Sequence, residues 1–370
     1  MSANTSLLDL YLDATIIANP VERSTVIQNI VNVLKEYSLD KKYEIKMSDG
    51  VLLLLTVENG SLSAVLRTHL NGLITLTLEE GSSSSFLTNI CSSNEKVLQG
   101  VEELRKRLNK AVQKRVDRIP ILKRGLEVPN YFSSSDERIF EYDFDKLVFQ
   151  ADSPFQNVKI LHSPTFGNTL FLDDLQNLAE SDLSYTHGLM KYGELSYKDQ
   201  EILILGGGDG GLLHELLKEK PKFITMVDID QLVVDACREH LRGACFDSLD
   251  KLKGDNYEVI IGDCVKKMDE YMKEGKMFDF VFSDLTDIPI ATEPEGELWK
   301  FVKKIVTMAL QVLKPRGRFL SHATGIGCVD ALQEYEKMLR KLPTKVEFRS
   351  HSAFVKSFLE KWVFYEIWEI

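Results

Sequence analysis

Four aspartates stand where a parallel sheet would present them to a ligand: Asp209, Asp228, Asp263 and Asp284. Each follows an apolar run that reads as a buried strand: Ile202–Leu205, Phe223–Val227, Tyr257–Ile261 and Phe278–Ser283. Ligands of open parallel sheets bind beyond the carboxyl ends of the strands, so these are the positions that meet a substrate. Any one of the four reads equally as the cap of the following helix, since aspartate is a favoured N-cap. Together they crowd negative charge into one crevice. That is costly unless a cation or a hydroxyl-rich ligand satisfies it.

The first acid sits in the segment EILILGGGDGG, residues 201–211. Gly206, Gly207, Gly208, Gly210 and Gly211 allow a tight turn against a ligand before a helix over Leu212–Lys218. Phosphate-binding loops aim backbone N–H groups at an anion, and Asp209 would oppose one. The loop therefore favours a ligand that is neutral or cationic there, and argues against a dinucleotide. Asp228 stands at the end of the second strand, where an acid binds ribose hydroxyls in such folds; the plainer alternative is that Asp228 and Asp230 cap the helix starting near Gln231. Asp263 with Cys264 suits the amino group of an adenine. Asp284 opens the loop Ser283-Asp284-Leu285-Thr286-Asp287-Ile288-Pro289, which with Pro294 reads as a gate over the site.

The 370-residue chain is 44% hydrophobic and 27% charged, with a formal net charge of −11, which disfavours a general binder of nucleic acid or anionic membranes. The start MSANTSLLDLYLD has neither a basic region nor a long apolar core, and the sequence holds no apolar run long enough to span a bilayer; a cytoplasmic protein is expected. The five cysteines show no CxxC pair and no histidines at ligand spacing, so neither a disulfide framework nor structural zinc is expected.

Three domains are expected. Residues 1–118 read as an α+β unit: a helix near Val21–Tyr37, strands at Tyr43–Met47, Val51–Val57, Ser63–His69 and Leu73–Leu78 with turns at Asp49-Gly50, Asn59-Gly60 and Asn71-Gly72, and a long amphipathic helix from Asn94 to Val116. Its basic residues Arg105-Lys106-Arg107 fall opposite the apolar stripe and read as a solvated face. Pro120 and Ser133–Ser135 mark a linker, and residues 119–183 read as a small β-hairpin domain with strands Arg138–Asp143, Lys146–Ala151, Asn157–Ser163 and Asn168–Leu172. From 184 to 370 strands alternate with helices up to Arg318–His322 and a closing strand Lys361–Trp368. This predicts an α/β fold with a doubly wound, mostly parallel sheet of the class I methyltransferase-like type.

The chain resembles the polyamine aminopropyltransferases over essentially its whole length, and their spermine-forming branch in particular. The resemblance is carried by Asp152–Leu161 (DSPFQNVKIL), Asn177–Thr186 (NLAESDLSYT), Leu203–Gly211 (LILGGGDGG), Asp284–Thr286 and Trp362–Tyr365 (WVFY). The amino-terminal region is similar only in layout, to a dimerisation domain resembling S-adenosylmethionine decarboxylase. The resemblance implies a homodimer and transfer of the aminopropyl group of decarboxylated S-adenosylmethionine, a co-substrate, to spermidine, giving spermine and methylthioadenosine without a metal. It implies that Gln156, Asp228, Asp263 and Cys264 hold the nucleoside beside the glycines, that Tyr185, Asp209 and Glu360 hold the polyamine, and that Asp284 accepts a proton. Asp228 replaces the usual glutamate, Phe358 replaces a tyrosine that contacts the acceptor, and Asp287 is similar instead to the loop of spermidine synthases. Putrescine as acceptor, a thermospermine product, or a non-catalytic polyamine- or nucleoside-binding dimer are the alternatives.

Overall fold

Alternation of apolar residues builds the amino-terminal unit. In the strand Leu62–Thr68, Leu62, Ala64, Leu66 and Thr68 are buried while the residues between them face outward. The computed structural model describes residues 3–81, 94–285, 287–289 and 296–370. The chain divides into two units, Met1–Pro129 and Asn130–Ile370.

The first unit contains β1 (Ala3–Tyr11), α1 (Ala14–Ala18), α2 (Pro20–Lys35), β2 (Asp40–Met47), β3 (Gly50–Thr56), β4 (Leu62–Thr68), β5 (Leu73–Gly81), α3 (Asn94–Val112) and β6 (Val116–Arg124). Its antiparallel sheet runs β2-β3-β4-β5-β1-β6. Helix α2 starts where Asn19 accepts from the N–H groups of Val21 and Glu22, with Pro20 at the first helical position. The stripe Val101, Leu104, Leu108 and Val112 of α3 is buried in the same core as Leu8, Leu34 and Leu53. Arg105 and Arg107 instead pair with Glu102 at 2.5 Å and Glu103 at 3.1 Å, the solvated face expected. β1 and β6 are elements the pattern did not announce. The division expected at residue 118 falls inside β6, because Pro120, read as a linker, sits in an edge strand, where the missing N–H costs no ladder bond.

The second unit opens with a hairpin, β7 (Tyr131–Ser133) and β8 (Ile139–Glu141), and an antiparallel sheet of β9 (Lys146–Asp152), β10 (Asn157–Ser163), β11 (Gly167–Leu172) and β12 (Leu175–Ala179). Then follow α4 (Leu183–Met190), β13 (Glu201–Gly206), α5 (Gly211–Lys218), β14 (Phe223–Asp228), α6 (Gln231–His240), α7 (Arg242–Cys245), β15 (Tyr257–Ile261), α8 (Cys264–Glu274), β16 (Phe278–Asp284), α9 (Glu297–Gln311), β17 (Leu313–Gly325), α10 (Val329–Arg340), β18 (Val346–Val355) and β19 (Glu360–Glu369). The main sheet is ordered β15-β14-β13-β16-β17-β19-β18. Its first five strands pair in parallel, and β19 runs antiparallel to both β17 and β18. The doubly wound, mostly parallel expectation holds. Strand residues alternate between two cores: Ile202, Ile204 and Phe282 pack with residues of α4, α5 and α6, while Leu203, Leu205 and Val281 pack with α8, α9 and α10.

The hairpin layer shares a core with the main sheet: Val158, Ile160, Leu170 and Leu178 pack in the same core as Ile202 and Ile204. No helix among the described residues is long and apolar enough to cross a membrane.

Candidate active site

The strand order reverses between β13 and β16, so the ends of these neighbours flank the crevice in which doubly wound sheets place a ligand. The glycine loop leaves β13 in the left-handed region at Gly206, φ +82°, and a Cβ there would lie 2.1 Å from the carbonyl oxygen of Asp284. Only glycine lets the two chain segments meet. The N–H of Gly207 donates to that carbonyl at 3.1 Å, and the N–H of Gly208 donates to Oδ2 of Asp228 at 2.8 Å. Asp209 turns its Oδ1 onto the N–H of Gly211 at 2.8 Å. Three of the four aspartates thus gather around one loop.

Their electrostatics follow from that crowding. Burial raises the proton affinity of Asp209, and neighbouring Asp284 and Asp228 raise it further against the Gly211 N–H, taking it to about 7. Asp284 is also raised by burial. His322 and the hydroxyl of Tyr185 pull it back, the latter donating to Oδ1 at 2.9 Å. Burial raises Asp228 too, against the N–H groups of Asp230 and Gly208. Burial and Asp284 push the Tyr185 phenol well above its usual range, so it keeps its proton and donates it to Asp284. Such a cluster of buried carboxylates attracts a cation and resists a further anion.

Asp263 stands apart from this group. It caps α8, accepting from Val265 N–H at 2.8 Å and Lys266 N–H at 3.4 Å, with Cys264 buried beside it. Gln156 reaches the crevice through a different acid, donating to Oδ2 of Asp230 at 3.0 Å. Glu360 begins β19, beside the end of β17; its Oε2 accepts from Ser135 Oγ at 2.8 Å and its Oε1 from Ser135 N–H at 3.1 Å. Phe358 packs in an aromatic group, 4.8 Å from the Trp362 ring and 6.0 Å from that of Tyr185. Of the expected gate, Asp287–Pro289 are placed with Ile288 N–H on the carbonyl of Ala323 at 3.1 Å; Thr286 and Pro294 lie outside the described residues.

Sequence reasoning passed over two participants, His322 and Ser135, and took a third, Asp230, only for the helix cap that it is. His322 lies inside β17, three residues before its end, buried, with Nδ1 3.3 Å from Oδ1 of Asp287. The rule that selected the aspartates, a polar residue just past an apolar run, applies to it equally. Asp230 is a buried junction that caps α6 at Leu232 and accepts from Ser153 Oγ at 2.6 Å. Ser135 gave no signal, because its contact with Glu360 bridges residues far apart in the chain. A small, partly open gap of about 20 Å³ lies next to the crevice, lined by residues that include Ser283, Leu285, Ile288, His322 and Tyr335, and the gathered aspartates do not line it.

A doubly wound sheet with an acid-bearing glycine loop and an acid at the end of the next strand defines an α/β fold of the methyltransferase-like class. The sequence model described as spermine/spermidine synthase domain matches residues 182–369, and that described as spermidine synthase tetramerisation domain matches residues 131–180. The chain belongs to the spermine/spermidine synthase family, and is an enzyme of the aminopropyltransferase kind. It is 31% identical to a polyamine aminopropyltransferase of Aeropyrum pernix over 225 residues, covering 60% of this chain and 68% of that protein. It is 25% identical to the thermospermine synthase ACAULIS5 of Arabidopsis thaliana over 233 residues, covering 61% of this chain and 66% of that one. The chain thus spans about two thirds of the length of these relatives. A crystal structure of spermidine synthase in complex with the transition state analogue AdoDATO superposes with a TM-score of 0.51 at 20% identity, covering 65% of this chain and 79% of that one, a likeness of fold.

Proposed function

We propose that the enzyme transfers the aminopropyl group of decarboxylated S-adenosylmethionine to spermidine, forming spermine and methylthioadenosine. One observation carries this reading: Asp209, Asp228 and Asp284 gather on one glycine loop, with Asp284 bonded to a buried tyrosine. In the reaction an amine nitrogen attacks the propyl carbon, the N–C bond forms, and the C–S electron pair returns to sulfur. The sulfonium departs as a neutral thioether. The acceptor arrives mostly protonated, since a primary ammonium resembles lysine with a pKa of about 10.4. Asp284, raised by burial, is the group suited to take that proton as the nitrogen attacks. Asp228 holds ribose, while Asp263, Cys264 and Gln156 shape the nucleoside end. Asp209 excludes intact S-adenosylmethionine, whose carboxylate would add an anion beside it.

For acceptor length, Glu360 and Tyr185 favour spermidine. Phe358, which lacks a hydroxyl, and the commitment of both Glu360 oxygens to Ser135 favour putrescine or a thermospermine product instead. Incubation with the decarboxylated donor and either putrescine or spermidine, followed by chromatography of products, decides between them. Spermine from spermidine alone supports the proposal; products from putrescine alone reassign the acceptor, and no product with either removes the enzymatic reading. A homodimer through the amino-terminal unit is part of the same proposal. It is supported by β2, whose residues are exposed along its whole length, with Tyr43, Ile45 and Met47 outward on an unpaired edge that a second copy would cover. A cytoplasmic location is supported by Cys237, Cys245, Cys264 and Cys328, all unpaired thiols.

A further inference from the structure

The histidine beside the proposed base is not explained by substrate binding. Strands β16 and β17 run parallel with Ser283 opposite Ser321 as their last registered pair, so the next residues on the two strands are Asp284 and His322. Alternation puts both on the side of Phe282 and Leu320, in the core that contains Tyr185. Tyr185 ties them together: its hydroxyl donates to Asp284 at 2.9 Å, and its ring centroid lies 5.8 Å from that of His322. On the other side stands Asp287, half exposed, at ion-pair distance from Nδ1 but not aligned as a hydrogen bond. The Ile288–Ala323 backbone bond fixes this stretch of loop against β17.

We propose that His322 is a positioning residue for the base: a buried imidazolium set between Asp287 and Asp284 that keeps Asp284 ionised and able to accept the proton of the amine. This rests on the assignment of Asp284 under the proposed function. Burial alone favours the protonated form of Asp284, in which it cannot accept the proton of the amine. The ionisable groups facing His322 are Asp284 from β16, Asp287 from the loop and Tyr185 from α4, with Tyr335 of α10 across the adjoining gap. Burial pushes the imidazole down; the Asp287 contact and the field of Asp284 more than reverse this, so its proton affinity is raised.

The test is the pH dependence of kcat in the full chain with decarboxylated donor and whichever polyamine the wild type uses. His322→Gln removes the charge and keeps a polar side chain of similar reach. Its acid limb is expected to move upward by about 1–3 pH units, the range over which a nearby opposite charge acts. A variant that turns over with its acid limb unmoved overturns the inference, even if kcat falls at every pH, because a merely structural role would give that result. Should the variant not fold, Asp287→Asn at the exposed partner provides the second measurement. One of the seven histidine titrations followed by NMR should then move to lower pH, and seven unmoved titrations overturn the inference. A wild type that makes no product with any polyamine fails the underlying reading instead, so the two failures are told apart.

Discussion

Replacing Asp209 with asparagine should stabilise the free enzyme while disabling it. The side chain's one backbone contact survives, because an amide oxygen accepts the Gly211 N–H as a carboxylate does. What disappears is a buried charge. An unperturbed aspartate releases its proton near 3.8, whereas Asp209 in the fold does so at about 7. Between those values the folded state binds more protons than the unfolded one, so stability falls as pH rises, and below 3.8 the two states do not differ. About three pH units at about 1.36 kcal/mol each gives about 4 kcal/mol as an upper bound above pH 7. Partial solvation of the crevice and relief shared with Asp284 reduce this to about 1–3 kcal/mol. At about 2–4 °C per kcal/mol for a domain of this size, the variant should melt about 4–8 °C higher at pH 8 for a gain of 2 kcal/mol. By the same linkage, the gain at pH 5 should be less than half of that. Calorimetric melting of both proteins at the two pH values, with turnover measured alongside, checks this. An unchanged melting temperature at pH 8, or a gain that is the same at both pH values, would refute the reasoning.

Asp284→Asn should bind methylthioadenosine as the wild type does by titration calorimetry while kcat drops about 10²–10⁴-fold, the usual contribution of a general base; normal turnover excludes that role. Gly206→Ala places a methyl 2.1 Å from the Asp284 carbonyl at a φ of +82°, and should cost more than about 2 kcal/mol in denaturant unfolding together with activity. A variant with wild-type stability would show that the loop and β16 are not held together as described. Asp230→Ala strips the α6 cap and leaves Ser153 and Gln156 without their shared acceptor, so a loss of about 2–4 kcal/mol is expected in the same assay. A loss below about 1 kcal/mol would reduce Asp230 to an ordinary cap.

The strands of the main sheet were legible because a buried parallel strand is a near-continuous apolar run, and Ile202–Leu205 and Phe278–Ser283 fall inside β13 and β16. Elements whose burial is one-sided or slight were not. β18 has a single buried residue and carries Glu347, Arg349, Ser350 and His351, so its pairing with β19 is written in β19 alone. Asp209, Asp228, Asp263 and Asp284 were all picked out by their place after strands; the fold gathers the first, second and fourth around the glycine loop and also engages Asp263 as a helix cap. Type and position name candidates; only the turn of each side chain separates a ligand group from a cap.

That separation bears on how the crevice is built. Asp228 accepts N–H groups from Gly208 and Asp230, while Asp230 in turn accepts from Ser153 and Gln156 on the hairpin layer. The glycine loop, the second strand and the hairpin sheet are therefore joined through two carboxylates. Acids at strand ends need not all face a ligand to serve it. Asp230 spends its oxygens holding the walls in place, whereas Asp209 and Asp284 each have one oxygen engaged and a raised proton affinity, the state in which the proposed reaction would use them.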